Sequence, residues 1–327
     1  MQSFWQSLTK PFFVMAPMAD VTDAAFRQLV AKRGAPDVFW TEFVSADGLY
    51  HTREIKKMKD EENPLMGILS KTPAERPILA QIFSSKPDMI SYATKLVAGL
   101  GFDGVDLNMG CPDRAIEKQG AGAALVKNPK LAAELIRAAQ EASSLPVSVK
   151  TRVGYNKESL DEWLIALLEA NPAAITLHLR TRKDMSLVPA DWTLMNKAVA
   201  IRNRVNPSVL LIGNGDVQDL EDAQIKISES GCDGAMLGRA MFGNPWVFAG
   251  RKTEDTPLAL KLAALIELAQ DFEKLTPPKN FSILKKHIKA FVTGFDGAAE
   301  LRAKLMQAST STELSAIIAN HTGNDIL

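Results

Sequence analysis

The chain is poor in cysteine. Cys111 and Cys232 are the two among 327 residues, too few for a disulfide framework and in keeping with a reducing compartment. It also lacks net charge, because 38 Lys and Arg balance 38 Asp and Glu. A dedicated nucleic-acid binder is usually basic overall, so any nucleic acid here must be met by a local patch. No apolar run approaches the roughly 20 residues that span a bilayer. The opening MQSFWQSLTK has no charged segment followed by an apolar one, so neither membrane nor secretion is expected, and the cytoplasm is. Hydrophobic residues make up 46% of the chain, which excludes disorder. Also missing is a Gly-x-Gly-x-x-Gly turn after the first apolar run, where the residues read APMADVTDAAFR; a dinucleotide fold of the doubly wound type needs one.

What is present is alternation. Short apolar runs rich in β-branched residues occur at 12–18, 38–43, 78–82, 104–108, 147–152, 174–179, 209–215 and 234–238. Near-continuous apolarity suits parallel strands covered on both faces. Amphipathic stretches at 88–100, 129–143, 159–170 and 220–230 lie between them, with Pro87, Pro129 and Pro172 at their ends. Eight strands with intervening helices over 1–250 predict an α/β fold, a (β/α)8 TIM barrel. The longer, charged segment 45–77 is expected to form an inserted hairpin or lid loop. From 251 to 327 the pattern changes to helices alone, expected at 258–274, 282–293, 297–308 and 312–319. Between 274 and 304 stand six Lys and one Arg against one Asp and one Glu. This is the local basic patch that the neutral chain requires, and it includes Lys285, Lys286, Lys289 and His287.

In such a barrel the C-terminal strand ends face the active site. Unusual polar residues there are Gln81, Asn108, Lys150, Arg152, His178 and Asn214, with Cys111 in the loop after the fourth strand. Lys150 ends an apolar strand, and a buried ammonium needs an anion or a strong acceptor; it is either a site residue or the partner of a barrel carboxylate. His178 is either a site residue or a satisfied core histidine. The turns GNGD (213–216) and LGRAMFGNP (237–245) follow strands seven and eight, where backbone N–H groups converge on phosphate. A phosphorylated cofactor or substrate is therefore expected. Cys111 can act as core filler, nucleophile or acid; with an ordinary thiol pKa near about 8.5 it can donate a proton at neutral pH. No second Cys or His lies at ligand spacing, so no metal is expected. Cys232 is expected to be inert packing.

Taken in order, these segments resemble the dihydrouridine synthases, flavoenzymes that reduce particular uridines in tRNA. The resemblance runs through APMADVTDAAFR (16–27), TEFVSADGL (41–49), LAQIF (79–83), GVDLNMGCP (104–112), GAGAAL (120–125), VSVKTRVG (147–154), LHLRTR (177–182), IGNGDV (212–217) and GCDGAMLGRAMFGNPW (231–246). It continues into KHIKAF and ELRAKLM. It implies an FMN site with Pro17, Met18 and Ala19 at the end of strand one, and Gln81 on the flavin edge. Lys150 and His178 would lie at the ring, and Asn214, Gly215, Asp216, Gly238 and Arg239 at the phosphate. It further implies NADPH as reductant, Cys111 as proton donor to uracil C5, and Asn108 and Arg152 on the uracil edge. Residues 251–327 would be a helical tRNA-binding domain contacting the RNA through Lys285, Lys286 and Lys289, and the enzyme would be a monomer. Leu179 departs from the resemblance, standing where a small residue is usual, and 183–192 lacks a usual glycine. Two other readings of the residues are an FMN barrel acting on a small pyrimidine, similar to the dihydroorotate dehydrogenases, and a non-redox aldolase or isomerase using Lys150.

Overall fold

The computed structural model describes residues 3–322; residues 1–2 and 323–327, the outermost parts of the two expected segments, lie outside the described residues. Nine parallel strands form one sheet: β1 Phe12–Met15, β2 Phe39–Trp40, β3 Val44–Ser45, β4 Ile78–Phe83, β5 Gly104–Met109, β6 Val147–Arg152, β7 Ala174–His178, β8 Leu210–Asn214 and β9 Gly234–Leu237. β2 and β3 both pair with β4, so the expected second strand is one stave broken at 41–43. Closure comes from β1, which pairs with β9 on one side. On its other side Val14 bridges to Val38, and the Met15 N–H donates to the Val38 carbonyl at 3.1 Å. The result is the expected eight-stave barrel.

Strand and helix boundaries follow local chemistry. All six residues of β4 and of β5 are buried, as strands covered on both faces require. Pro87 and Pro129 open helices Pro87–Gly99 and Pro129–Ala142 from the first turn, where a missing N–H costs nothing. Asp23 and Asp219 cap helices Ala24–Arg33 and Leu220–Ser230 by accepting from the N–H of Phe26 and Asp222. Side chains separate into three apolar groups, the smallest being Phe83, Ile116 and Ala121 with Phe43 and Cys111 packed against them. Trp5, Phe12, Val14, Trp40, Leu79, Ile212 and Met236 pack together, with the 3–10 turn Phe4–Ser7 bringing Trp5 against Phe12 and Trp40. The largest group joins the sheet to the surrounding helices.

Segment 45–77 is helical, not a hairpin. Ser45 accepts from the Gly48 N–H to start Ala46–Tyr50, and Asn63 accepts from the Leu65 N–H to start Pro64–Ile68. These caps provide for the backbone locally. Of the C-terminal helices, Leu258–Glu273 lies against Ala24–Arg33, where Lys32 reaches Glu267 at 2.8 Å and Asp271 at 3.2 Å. The expected helix at 282–293 is a 3–10 turn, Phe281–Leu284, leading into Lys285–Phe291; Ala298–Leu305 and Ser311–Thr322 follow. Their apolar faces join the same core as the barrel's outer layer.

Candidate active site

Register sets the barrel mouth. Asn108 on β5 stands beside Lys150 on β6, Arg152 beside His178 on β7, and His178 beside Asn214 on β8. Two adjoining cavities result, of about 270 and 160 Å³. The first is lined by Pro17, Met18, Lys150, Arg152, His178, Arg180, Asn214, Gly215, Asp216, Gly238 and Arg239. The second shares Pro17, Lys150, Arg152 and His178, and adds Phe43, Gln81, Asn108, Cys111 and Pro112. Ala19 is exposed and lines neither, since the chain turns outward after Met18; Ala16 takes the inner position instead. Leu179 packs in the outer apolar layer, pointing away from the mouth between inward-facing His178 and Arg180.

The first cavity is strongly cationic, with Lys150, Arg152, Arg180 and Arg239 against Asp216 alone. Lys150 donates to the Asn214 side-chain oxygen at 3.2 Å, while the Asn214 amide donates to the Met236 carbonyl at 2.9 Å and so keeps that oxygen turned inward. Among the described residues no carboxylate lies within ion-pair distance of Lys150, so the paired-lysine reading does not hold. Burial, then the neighbouring Arg152, pushes the Lys150 pKa down to about 8. His178 is held well below its ordinary range by burial and then by Lys150, which leaves the ring neutral. A guanidinium can only donate, so the 3.1 Å contact from Arg180 makes His178 Nε2 the acceptor and puts the ring proton on Nδ1. Gly215 has φ of +122°, and a Cβ there would fall 2.8 Å from that of Ala190 and 3.1 Å from His178. Asp216 follows in the left-handed region, held by Arg180 at 2.5 Å, by the Ala190 N–H at 2.8 Å and by Arg239. Its carboxylate is thus a strut for two arginines.

The thiol loop is pinned from several sides. Asn108 Oδ1 accepts from the N–H groups of Gly110 at 3.1 Å and Cys111 at 2.9 Å. The Cys111 carbonyl accepts from the Ala123 N–H at 2.9 Å. Gly122, with φ of +60°, presses so closely that a Cβ would lie 2.7 Å from that carbonyl, which explains the glycine in the Gly-Ala-Gly run. Burial pushes the half-buried Cys111 thiol up, so it is protonated at neutral pH. Arg152 gives Nε to the Gly110 carbonyl at 2.8 Å and Nη1 to the Thr181 and Met185 carbonyls, each at 3.0 Å. Its Nη2 end is left for the cavity. Cys232 lies buried just before β9 with its thiol on the Gly234 carbonyl.

Two residues, one at the mouth and one beneath it, escaped the sequence reading. Arg180 ties His178, Asp216 and the Val188 carbonyl together; its signal was a second arginine in LHLRTR. Asp106 is fully buried on β5 and accepts from Gln81 Nε2 at 2.6 Å and Ser148 Oγ at 2.5 Å. A carboxylate inside the apolar run GVDLN was the available signal. The basic segment is smaller than its sequence count. Lys279 pairs with Glu42 at 2.8 Å, Lys274 with Asp271 at 2.9 Å and Lys304 with Glu300 at 2.9 Å. Lys286 reaches Asp20 at 3.1 Å, whereas Lys285 and Lys289 form no ion pair among the described residues. His287 does not belong to the basic surface: it is buried, its ring 4.7 Å from that of Phe26. Among the described residues no group of three or more His, Cys, Asp or Glu could hold a metal ion, and no helix is long and apolar enough to cross a membrane.

A closed parallel barrel whose mouth gathers Lys150, Arg152, Arg180 and Arg239 around His178 and Cys111 has the architecture of a (β/α)8 enzyme. Residues 14–325 match the family described as dihydrouridine synthase (Dus). A probable tRNA-dihydrouridine synthase of Staphylococcus aureus (strain COL) is 38% identical over 320 residues, covering 97% of this chain and 95% of the relative. Probable tRNA-dihydrouridine synthase 2 of Bacillus subtilis (strain 168) is also 38% identical, over 97% of this chain and 96% of its own. The chain belongs to the dihydrouridine synthase family and is an enzyme of the oxidoreductase type. Solved structures share the fold at low identity. Histamine dehydrogenase from Rhizobium sp. 4-9 has a TM-score of 0.52 at 16% identity over 79% of this chain, and 2-naphthoyl-CoA reductase 0.54 at 9% over 74%. This chain spans about half the length of each, 48% and 50%.

Proposed function

We propose that this enzyme reduces the C5=C6 bond of uridines in tRNA, with FMN as cofactor and NADPH as reductant. The mouth fits FMN on chemical grounds: a half-buried ammonium with no carboxylate partner and three arginines lining one cavity with the Gly215 turn call for an anionic, phosphorylated group. The chemistry that FMN supplies, when bound, is acceptance of two electrons from NADPH and their delivery as hydride to uracil C6.

Pro17 and Met18 line the FMN site, with Lys150 and His178 at the ring and the second Gln81 N–H toward its edge. The backbone of Asn214, Gly215, Asp216 and Gly238, with Arg239, holds the phosphate. Cys111 gives its proton to C5, which its neutral state permits, and regains one from solvent. Asn108, through its second N–H, and Arg152, through Nη2, hold the uracil carbonyls. A uridine in folded RNA must leave its stack to reach this mouth, so the RNA is recognised by shape and phosphate contacts around it. Residues 251–327 supply these through Lys285, Lys286 and Lys289, while 1–250 carry catalysis. One chain bears every group named, so we take the enzyme to act as a monomer, in the cytoplasm.

The observation that carries this reading is the Cys111 thiol on a pinned loop, in one cavity with Lys150, Arg152 and His178. Cys111→Ala tests it. The variant is expected to keep its flavin absorbance and to lose at least about a hundredfold in dihydrouridine formed per minute, as removal of a general acid implies. Mass spectrometry of tRNA nucleosides after incubation with NADPH gives the rate. Undiminished turnover would remove Cys111 from the acid role.

A further inference from the structure

We infer that Asp106 is a positioning residue for Cys111, acting through a one-way chain of side-chain amides. Asp106 Oδ2 accepts from Gln81 Nε2 at 2.6 Å. Gln81 Oε1 accepts from Asn108 Nδ2 at 3.0 Å, and Asn108 Oδ1 accepts from the backbone N–H groups of Gly110 and Cys111. All three side chains are buried, in neighbouring strands β4 and β5.

The ends of the chain set its direction. Backbone N–H groups can only donate. Burial raises the Asp106 pKa, but the oxygen facing Gln81 accepts whether the carboxyl is ionised or carries a proton on its other oxygen, toward Ser148. Each amide between them can turn either way by itself, but only one orientation of both satisfies the two ends. If Gln81 turned over, its NH₂ would face the Asn108 NH₂. If Asn108 then turned as well, its NH₂ would face two N–H donors and leave them unpaired, at a cost that buried groups do not tolerate. Asp106 touches neither cavity, yet it determines which atom of Asn108 meets the loop that carries the thiol. Ser148, donating to the other carboxylate oxygen at 2.5 Å, holds Asp106 in turn.

The kinetic consequence rests on Cys111 being the proton donor; the geometric one does not, so two readouts separate them. The purified holoenzyme is treated with iodoacetamide and alkylation of Cys111 is followed by peptide mass, with buried Cys232 as internal reference. Asp106→Leu removes the acceptor at similar size. It is expected to free the loop and raise the alkylation rate about tenfold. It is also expected to lower kcat for uridine reduction about a hundredfold, with KM for tRNA within about threefold. Asp106→Asn retains the chain, because its oxygen can face Gln81 while its NH₂ donates to the Ser148 hydroxyl; both rates should stay within about threefold of the parent. A folded Asp106→Leu enzyme with parental alkylation and kcat would overturn the inference. So would an Asp106→Asn enzyme as impaired as Asp106→Leu, since charge rather than amide direction would then matter. Should Asp106→Leu fail to fold, Gln81→Met breaks the next link, and a parental alkylation rate there would overturn it equally. If Cys111→Ala keeps full turnover while the alkylation pattern holds, the acid role falls and the positioning role stands.

Discussion

A half-buried lysine in a barrel strand without a carboxylate beside it is an unfinished ion pair. Lys150 has only the Asn214 oxygen and a pKa of about 8. In the free protein it is charged below that pH and neutral above it, and only the charged form brings a cation to the polar edge of the flavin ring. FMN affinity, measured by quenching of flavin fluorescence, is therefore expected to fall as pH rises through 8. Lys150→Met should bind more weakly and lose that slope. An unchanged slope would assign it to another group. That Lys150 and His178 face the mouth was legible in the sequence because polar residues within apolar runs are costly unless they meet a partner or a cavity. Arg180 was less so: it lies past β7, and its partners come from three separate segments. Ala19 was misplaced because neighbouring residues in a motif need not share a direction once the strand has ended.

At the scale of elements, helix Lys285–Phe291 shows how a charge run conceals an apolar stripe. Leu284, His287, Ile288 and Phe291 recur at helical spacing and are all buried, while Lys286 and Lys289 face out. The stripe was present in the sequence, and the flanking lysines obscured it. Burial lowers the His287 pKa from 6.5 to about 4. The unfolded chain then binds the extra proton first, so this stability is complete above about pH 6.5 and is lost as pH falls toward 4. His287→Phe, which retains the stack on Phe26, should stabilise the enzyme by about 2 kcal/mol near pH 5 relative to its effect at pH 8. Urea unfolding at the two pH values checks this, and an equal effect at both would refute it. The insert 45–77 was legible as an insertion but not as helices, because its caps, Ser45 and Asn63, act over two or three residues amid charges that carry no period.

For the whole molecule, the basic segment is fastened to the catalytic end. Lys279 reaches Glu42 and Lys286 reaches Asp20, both in loops at the mouth. Ion pairs of this kind use up charge that the sequence count assigns to RNA. Among the described residues Lys285 and Lys289 remain unpaired for the proposed phosphate contacts, and Lys286 would have to leave Asp20 to join them. Lys285→Glu with Lys289→Glu should weaken tRNA binding and lower the slope of log affinity against log salt by roughly 1 for each phosphate that is no longer neutralised. Oxidation of NADPH without RNA should be unchanged. Filter binding across a salt series measures the first and absorbance the second; a weakening independent of salt would dissociate these lysines from phosphate. The eight-stave architecture was readable from strand count and spacing, whereas these long-range pairs join residues more than 230 positions apart, which local patterns cannot anticipate.

The plug formed by Trp5 against Phe12 and Trp40 carries a last consequence. A vessel stoppered at its base is filled from its rim. On the proposed function, reductant and RNA would share that rim, and a surplus of either visitor is expected to keep the other waiting outside.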